Sequence, residues 1–315
     1  MKNEKRIVFL GTPAFAACVL EGLIEANYNI VAVVSQPNKP VGRKKVLMPT
    51  PVKEVALKYN LPVYQPISLR KDYEFLKDLD IDMLITTAYG QILPKEVLAL
   101  AKINNINVHA SLLPKLRGGA PIHRSIINGD KVTGVTIMEM VDKMDAGRMY
   151  AKETFAIDDQ INTTELFEQL KYIGRDLLLK VLPDLLENKI EGEIQDENEV
   201  TYAFNIKREE EKIDFNNDVL RVHNLIRGLA EAPGAYCLLN DKELKIYKAK
   251  VFNDNCDDNC EVGTLKLEGK NRLLVRCKNG YLELLEIKIE GKQKMDVKSF
   301  LNGCKKEELL SSKLN

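Results

Sequence analysis

No stretch of this chain is apolar enough, for long enough, to cross a bilayer, and the opening Met1-Lys2-Asn3-Glu4-Lys5 has none of the apolar character of a secretion signal. Cysteine is scarce. Six in 315 residues are too few for a disulfide scaffold, so a reducing cytoplasm is the expected setting. Cys256 and Cys260 have half the spacing of a metal site, but no second Cys/His pair accompanies them; a plain loop is the simpler reading and no metal is expected. Net charge is also missing: 46 Lys and Arg balance 46 Asp and Glu, which excludes indiscriminate binding to polyanions. One local imbalance stands out. Between Glu25 and Glu54 no acidic residue occurs, while Lys39, Arg43, Lys44, Lys45 and Lys53 do, which suggests a directed encounter with something anionic unless the run is only a solvated face.

What is present reads as two domains, because single cores stop growing near roughly 250–300 residues. Residues 6–10 form a buried-type strand that runs into Gly11-Thr12-Pro13, where Thr12 is expected to cap a helix and Pro13 to occupy its first turn. Phe15, Cys18, Val19, Gly22, Leu23 and Ala26 recur at helical spacing, and residues 30–34 supply a second strand. The dinucleotide fingerprint G-x-G-x-x-G is absent from this β-α-β unit. Further strands at 83–87 and 103–108, separated by helical stretches, predict an α/β domain with an open, mostly parallel sheet over residues 1–189. Residues 163–186 predict an amphipathic helix that Pro183 bends or ends. The polar, acidic segment 190–208 reads as a linker. Over 209–315 the texture changes to short strands: Leu273, Val275 and Cys277 share one face, Arg272, Arg276 and Lys278 the other, and Asn279-Gly280 predicts a tight hairpin turn. A small OB-like β-barrel follows, a fold that often binds nucleic acid.

Chemistry concentrates in residues 107–147. Asn107 and His109 end an apolar run, and Asp145 follows the apolar stretch 135–141. In parallel α/β sheets ligands bind where strands end, so amide, imidazole and carboxylate are expected to meet in one crevice. Taken singly, His109 also reads as a satisfied core histidine and Asp145 as a turn residue. His123 reads as a helix residue and His223 as a structural residue of the second domain.

Phe9-Leu-Gly-Thr-Pro13, Ser35-Gln-Pro37, Gly42-Arg43, Leu47-Met-Pro-Thr-Pro-Val52, Ala88-Tyr-Gly90, Leu93-Pro94, Asn107-Val-His-Ala-Ser-Leu-Leu-Pro114, Arg117-Gly-Gly-Ala-Pro-Ile122 and Gly134-Val-Thr-Ile-Met138 stand in an order that resembles the 10-formyltetrahydrofolate-dependent formyltransferase family, in particular its methionyl-tRNA branch. The similarity spans nearly the whole chain, including Gln195-Asp-Glu197 and the C-terminal barrel. Asn107, His109 and Asp145 match the wider family, whereas the basic loop and the C-terminal domain narrow the match to the tRNA branch.

The resemblance implies a Rossmann-like formyltransferase domain followed by an OB-like domain. It implies 10-formyltetrahydrofolate as co-substrate, initiator methionyl-tRNA as partner, and catalysis by Asn107, His109 and Asp145; a monomer is expected because nothing in the sequence suggests an oligomer seam. Formyl transfer passes through a tetrahedral oxyanion and releases a proton. An amide donor aimed at such an oxyanion is worth about 2.7–4 kcal/mol, and a positioned acid or base roughly 100- to 10,000-fold. By type, Asn107 suits the donor, His109 the acid or oxyanion partner, and Asp145 the orienting carboxylate and proton relay. Ser111, Leu112, Leu113 and Pro114 look like a folate-contact segment, its leucines covering an apolar ring while backbone groups bond the pterin edge; a packed loop is the alternative. Tyr89, Gly90 and Leu93 are expected to wall the same pocket. Arg117-Gly118-Gly119 reads as a flexible cationic turn that either meets a phosphate or only turns the chain. The basic loop, with Lys39, Arg43, Lys44 and Lys45, is expected to be an extended arm that grips the acceptor stem. Lys248, with Lys245, Lys250, Arg272, Arg276 and Lys278, would add phosphate contacts from the barrel.

Two departures stand out. Val46 occupies a place where many relatives have another lysine, and Glu231-Ala-Pro-Gly-Ala-Tyr236 stands where many have Pro-Trp-Pro, in a chain without tryptophan. The alternatives are a formyltransferase acting on a sugar nucleotide or glycinamide ribonucleotide, a formyl-folate hydrolase, and a non-catalytic nucleic-acid-binding protein. The last leaves Asn107, His109 and Asp145 unexplained.

Overall fold

The computed structural model describes residues 4–42, 45–256 and 258–315. They form two compact units, one of Met1–Pro121, Val132–Ala156 and Phe167–Phe204, the other of Ile122–Lys131, Ile157–Leu166 and Asn205–Asn315. The chain therefore passes between units more than once, and residues 190–204, whose polar composition suggested a linker, fold with the first unit. What ties them down is main chain: Glu193 and Met149 exchange N–H···O bonds of 2.8 Å, Arg117 N donates to Thr201 O at 2.9 Å, and Ala203 N to Arg117 O at 2.7 Å. Backbone pairing leaves no trace in polarity.

The first unit is built on β1 (Arg6–Gly11), α1 (Ala14–Glu25), β2 (Asn29–Val34), β3 (Lys39–Val41), β4 (Val46–Met48), α2 (Pro51–Lys58), β5 (Val63–Tyr64), β6 (Met83–Thr87), α3 (Lys95–Leu98), β7 (Asn104–His109), β8 (Val132–Glu139), β9 (Met149–Ala156) and most of α5 (Thr163–Leu186); α4 (Pro121–Asn128) belongs almost wholly to the second unit. Seven strands pair in the order β5-β2-β1-β6-β7-β8-β9. The pairs β1–β2, β1–β6, β2–β5 and β6–β7 are parallel, whereas β7–β8 and β8–β9 are antiparallel. The central strands are buried on both faces, as parallel strands with apolar runs must be; Ile7, Val8, Phe9, Leu10, Leu84 and Ile85 are all fully enclosed. Strand order reverses between β1 and β6, so the crevice rule points to the carboxyl ends of β1, β6 and neighbouring β7.

Thr12 departs from its expected role. Pro13 is the cap of α1 and receives no side-chain help. The Thr12 hydroxyl instead donates to Tyr89 O at 2.9 Å, joining the end of β1 to the loop after β6. Pro183 does not end α5, which runs on to Leu186. Leu182, Leu185 and Leu186 are buried there, so core packing holds the last turn.

The second unit contains α6 (Val219–Gly228), β10 (Ala235–Leu239), β11 (Lys242–Asn253), β12 (Leu265–Glu268), β13 (Arg272–Arg276), β14 (Tyr281–Ile289), β15 (Met295–Asp296), α7 (Val297–Asn302) and α8 (Lys306–Leu310). Its sheet runs β10-β11-β14-β13-β12, with β15 on β14. The C-terminal residues bridge its two edges. Leu238 N donates to Asn315 O at 2.8 Å, and Leu314 N to Gly263 O just before β12 at 2.9 Å, closing the barrel. Leu273, Val275 and Cys277 point inward as expected, but Leu274 and Arg276 are buried as well. Arg276 is covered because its guanidinium lies 3.0 Å from Asp258 and over the Tyr281 ring.

His123 on α4 and His223 on α6 both titrate below the usual imidazole value, chiefly through burial and secondly through Arg124 and Arg227 respectively. The unfolded chain takes up these protons near pH 6.5, the folded one only lower. This stabilisation is whole above that value and is lost as pH falls through it. The urea midpoint of this unit is expected to drop between pH 7.5 and 5.5, and His223→Gln to flatten the drop; a midpoint indifferent to pH over that window contradicts it.

Candidate active site

Strands β6 and β7 lie side by side with Thr86 opposite Asn107. Asn107 and His109 are two apart on β7, so their side chains share one face of the sheet. The Thr86 hydroxyl donates to Asn107 Oδ1 at 2.9 Å, which aims the amide and leaves its Nδ2 hydrogens uncommitted among the described residues. His109, the last residue of β7, is buried. Its Nε2 lies 3.1 Å from Leu116 O. A carbonyl only accepts, so that nitrogen carries the proton. The other nitrogen, Nδ1, faces Asp145 Oδ2 at 3.7 Å, too long for a hydrogen bond and within ion-pairing distance of a protonated ring.

Asp145 reaches this point from the connection between β8 and β9. Its backbone is left-handed, φ +48°, a conformation that Asp tolerates better than most residues. Its Oδ2 accepts from Gly118 N at 2.8 Å. Gly118 itself sits at φ +126°, and a Cβ there would lie 2.7 Å from Ala203 O, so only glycine brings that N–H to the carboxylate. Imidazole and carboxylate thus meet, with the amide two residues back on the same face. The site carries a hydrogen-bond donor, a proton carrier and a fixed anion.

Two residues not assigned to the site by sequence reasoning support it. Gln195 is buried, and its Nε2 donates to Asp145 O at 2.8 Å and Gly147 O at 2.7 Å. Gln195 stood out in the sequence only as part of the resemblance, in Gln195-Asp-Glu197, with no role attached. Arg117 is fully buried rather than flexible: Nε donates to Gln195 Oε1 at 3.0 Å and Nη2 to Glu197 Oε1 at 2.9 Å. It is a structural cation, not a surface one waiting for phosphate.

Residues 111–114 pack more tightly than a ring-covering segment needs. Ser111 is buried, and its carbonyl accepts from Thr136 Oγ1 at 2.7 Å. Leu113 clusters with Met138 and Met149 and serves the core; Pro114 is also buried, and only Leu112 keeps exposed surface. Tyr89 and Leu93 likewise belong to a core cluster with Val8, Leu10 and Leu84, leaving Gly90 exposed, at φ +88°. The Tyr89 hydroxyl is buried with no hydrogen-bond partner among the described residues, and burial pushes it up to about 12.

Arg43 and Lys44 lie outside the described residues. The flanking segments form not an extended arm but the β3–β4 hairpin, with Lys39 opposite Met48. Gly42 sits at φ +72°, and Lys45 N donates to Gly42 O at 3.1 Å. Lys39 and Lys45 are exposed beside the exposed Val46, Leu47 and Met48. Lys53 is pinned to Gln65 Oε1 at 2.6 Å. On the barrel, Lys248 and Lys250 are exposed, but Lys245 donates to Pro233 O at 2.6 Å and Arg272 pairs with Glu283 at 2.7 Å. Arg276 is enclosed, so the expected row of six phosphate contacts is much shorter. Among the described residues no group of three or more His, Cys, Asp or Glu could hold a metal ion, and no helix is long and apolar enough to cross a membrane.

Residues 5–182 match the family model described as formyl transferase, and residues 205–305 the model described as formyl transferase, C-terminal domain. The chain is similar to the methionyl-tRNA formyltransferase of Lactobacillus johnsonii, 47% identical over 94% of this chain and 95% of that protein. It is similar to that of Staphylococcus aureus strain MW2, 44% identical over 95% and 96%. Among solved structures, the Helicobacter canadensis N-formyltransferase in complex with folinic acid and dTDP-3-aminofucose shares the fold, with a TM-score of 0.67 and 19% identity over 92% of this chain and 100% of that one.

Gly147 closes the Asp145 loop against β8, where a Cβ would lie 2.1 Å from Glu139 O. Gly147→Ala is expected to destabilise the first unit by about 1–3 kcal/mol, read as a lowered urea midpoint. An unchanged midpoint would show that the loop accommodates the methyl group.

Proposed function

The chain belongs to the formyl transferase family, and from that premise we propose that it moves the formyl group of 10-formyltetrahydrofolate onto the free amino group of initiator methionyl-tRNA, giving N-formylmethionyl-tRNA for translation initiation. The tRNA-acting relatives match at 44–47% identity over nearly their full length, whereas the sugar-acting structures share only 18–19%. The observation that carries the chemistry is the approach of His109 Nδ1 to Asp145 Oδ2 at 3.7 Å, with Asn107 two residues back on the same face of β7.

The amine must lose a proton as its nitrogen bonds to the formyl carbon, and the departing folate nitrogen must gain one. Asn107 Nδ2 donates to the oxygen that becomes negative, a role its uncommitted hydrogens suit. His109 and Asp145 relay that proton: it leaves the amine as the nitrogen–carbon bond forms and is delivered to the folate nitrogen as its bond to the formyl carbon breaks, the carboxylate stabilising the imidazolium in between. The co-substrate fits the carboxyl ends of β6 and β7, bonding main-chain groups near Gly90 and 111–114, with Leu112 the one leucine able to cover its ring. The buried Tyr89 hydroxyl, without a hydrogen-bond partner among the described residues, belongs to the residue next to Gly90. Lys39, Arg43, Lys44 and Lys45 engage acceptor-stem phosphates, and exposed Lys248 adds a contact from the barrel; such contacts position the RNA without reading its sequence. The working form is a cytoplasmic monomer, in keeping with six free cysteines.

The direct test mixes charged initiator tRNA, formyl folate and enzyme and follows formylation of the aminoacyl nitrogen; no formylation ends the proposal. His109→Ala or Asp145→Ala is expected to lower kcat by roughly 100- to 10,000-fold with circular dichroism unchanged; wild-type turnover in either removes the assigned roles. Arg43→Ala is expected to raise KM for tRNA and reduce its salt dependence without altering folate affinity. A changed folate Kd would move Arg43 into the pocket.

A further inference from the structure

We infer that Gln195 and Arg117 are positioning residues for Asp145, joined with it in a closed hydrogen-bonded ring. The inference rests on the reading that Asp145 acts in the transfer. Starting at the carboxylate, Asp145 Oδ2 accepts from Gly118 N at 2.8 Å. The residue before Gly118 is Arg117, whose Nε donates to Gln195 Oε1 at 3.0 Å. The other end of that amide, Nε2, donates to Asp145 O at 2.8 Å and closes the ring, with a second bond to Gly147 O at 2.7 Å. The carboxylate and the carbonyl of one residue are therefore held from a single source.

The chemistry leaves one arrangement for the amide. A guanidinium only donates, so the Gln195 oxygen must face Arg117 and the nitrogen must face the two carbonyls. Asp145 needs such a hold because its left-handed backbone persists only where the surroundings over-determine it. Arg117 is itself immobile: fully buried, its main chain bonded to Thr201 and Ala203, its charge met by Glu197, which holds its own proton below the usual carboxylate range through that contact and Lys143. Burying a cation is costly unless it is paired and bonded, and one of its nitrogens, Nη1, has no hydrogen-bond partner among the described residues. A cation kept there at that cost, beside a carboxylate rather than at a surface, fits a role in geometry.

The test uses Gln195→Glu, which keeps an acceptor for Arg117 but has no hydrogens for the carbonyls, and Gln195→Leu, which keeps the volume and loses both ends. Rates are taken per folded molecule, with thermal unfolding measured alongside. Both variants are expected to lose about 10- to 100-fold in kcat, the penalty of a small misplacement, with KM for tRNA and folate unchanged. In an Asp145→Asn background, followed by single turnover, Gln195→Glu is expected to cost nothing further, because the group it positions is already disabled. A slow Asp145→Asn enzyme with wild-type rates in both Gln195 variants, or losses that multiply in the double variant, overturns the inference alone. Wild-type turnover in Asp145→Asn would instead remove the reading beneath it.

Discussion

The approach of a carboxylate from the β8–β9 connection to an imidazole at the end of β7 is the contact around which the candidate site is built. The residues involved, His109 and Asp145, are distant in sequence and belong to elements whose own packing does not require them to meet. Asp145 arrives because its backbone turns left-handed, because Gly147 lets the loop close on Glu139, and because Gly118 offers an N–H where any other residue would strike Ala203. Each condition is local, and together they place one oxygen atom.

The same region shows how charge is used. Arg117 lies inside the protein, where a guanidinium is tolerated only with its hydrogen bonds made and an anion in reach. Its planar fork addresses an amide and a carboxylate at once, which a lysine could not do. The exposed cations behave differently. Lys39 and Lys45 beside β3 and β4 have solvent around them, whereas Arg272 of the barrel, also exposed, is already engaged by Glu283. Basic composition therefore marks two populations, one holding the fold and one available for binding.

In the second unit, the C-terminal residues bridge the outermost strands and so protect edges that would otherwise invite pairing with another chain. On β13 the outward face departs from simple alternation only in part: Leu274 and Arg276 are buried, Arg276 against Asp258 and the Tyr281 ring, while Arg272 stays exposed.

Much of this was legible in the residues. Apolar runs without polar alternation announced the doubly covered strands β1 and β6, and helical spacing announced α1 and α5, because these signals depend on near neighbours only; the β13–β14 hairpin stands where Asn279-Gly280 placed it, but with Arg276 opposite Tyr281 its connection spans 277–280 and is not the expected two-residue turn. Asn107, His109 and Asp145 stood out by type and by their place at the ends of apolar stretches. What sequence could not supply was anything carried by backbone bonds or by the meeting of distant segments. The acidic run around Gln195 looked like a linker because its anchoring lies in main-chain groups common to every residue. Arg117 and Arg276 looked exposed because burial of a cation depends on an anion elsewhere in the chain, and Leu113, Tyr89 and Leu93 looked like pocket walls although their rings and methyl groups fill cores. Local chemistry determined which groups were available; only the tertiary fold decided which of them face each other, since hydrogen-bond partners and burial are properties of pairs that sequence order does not specify.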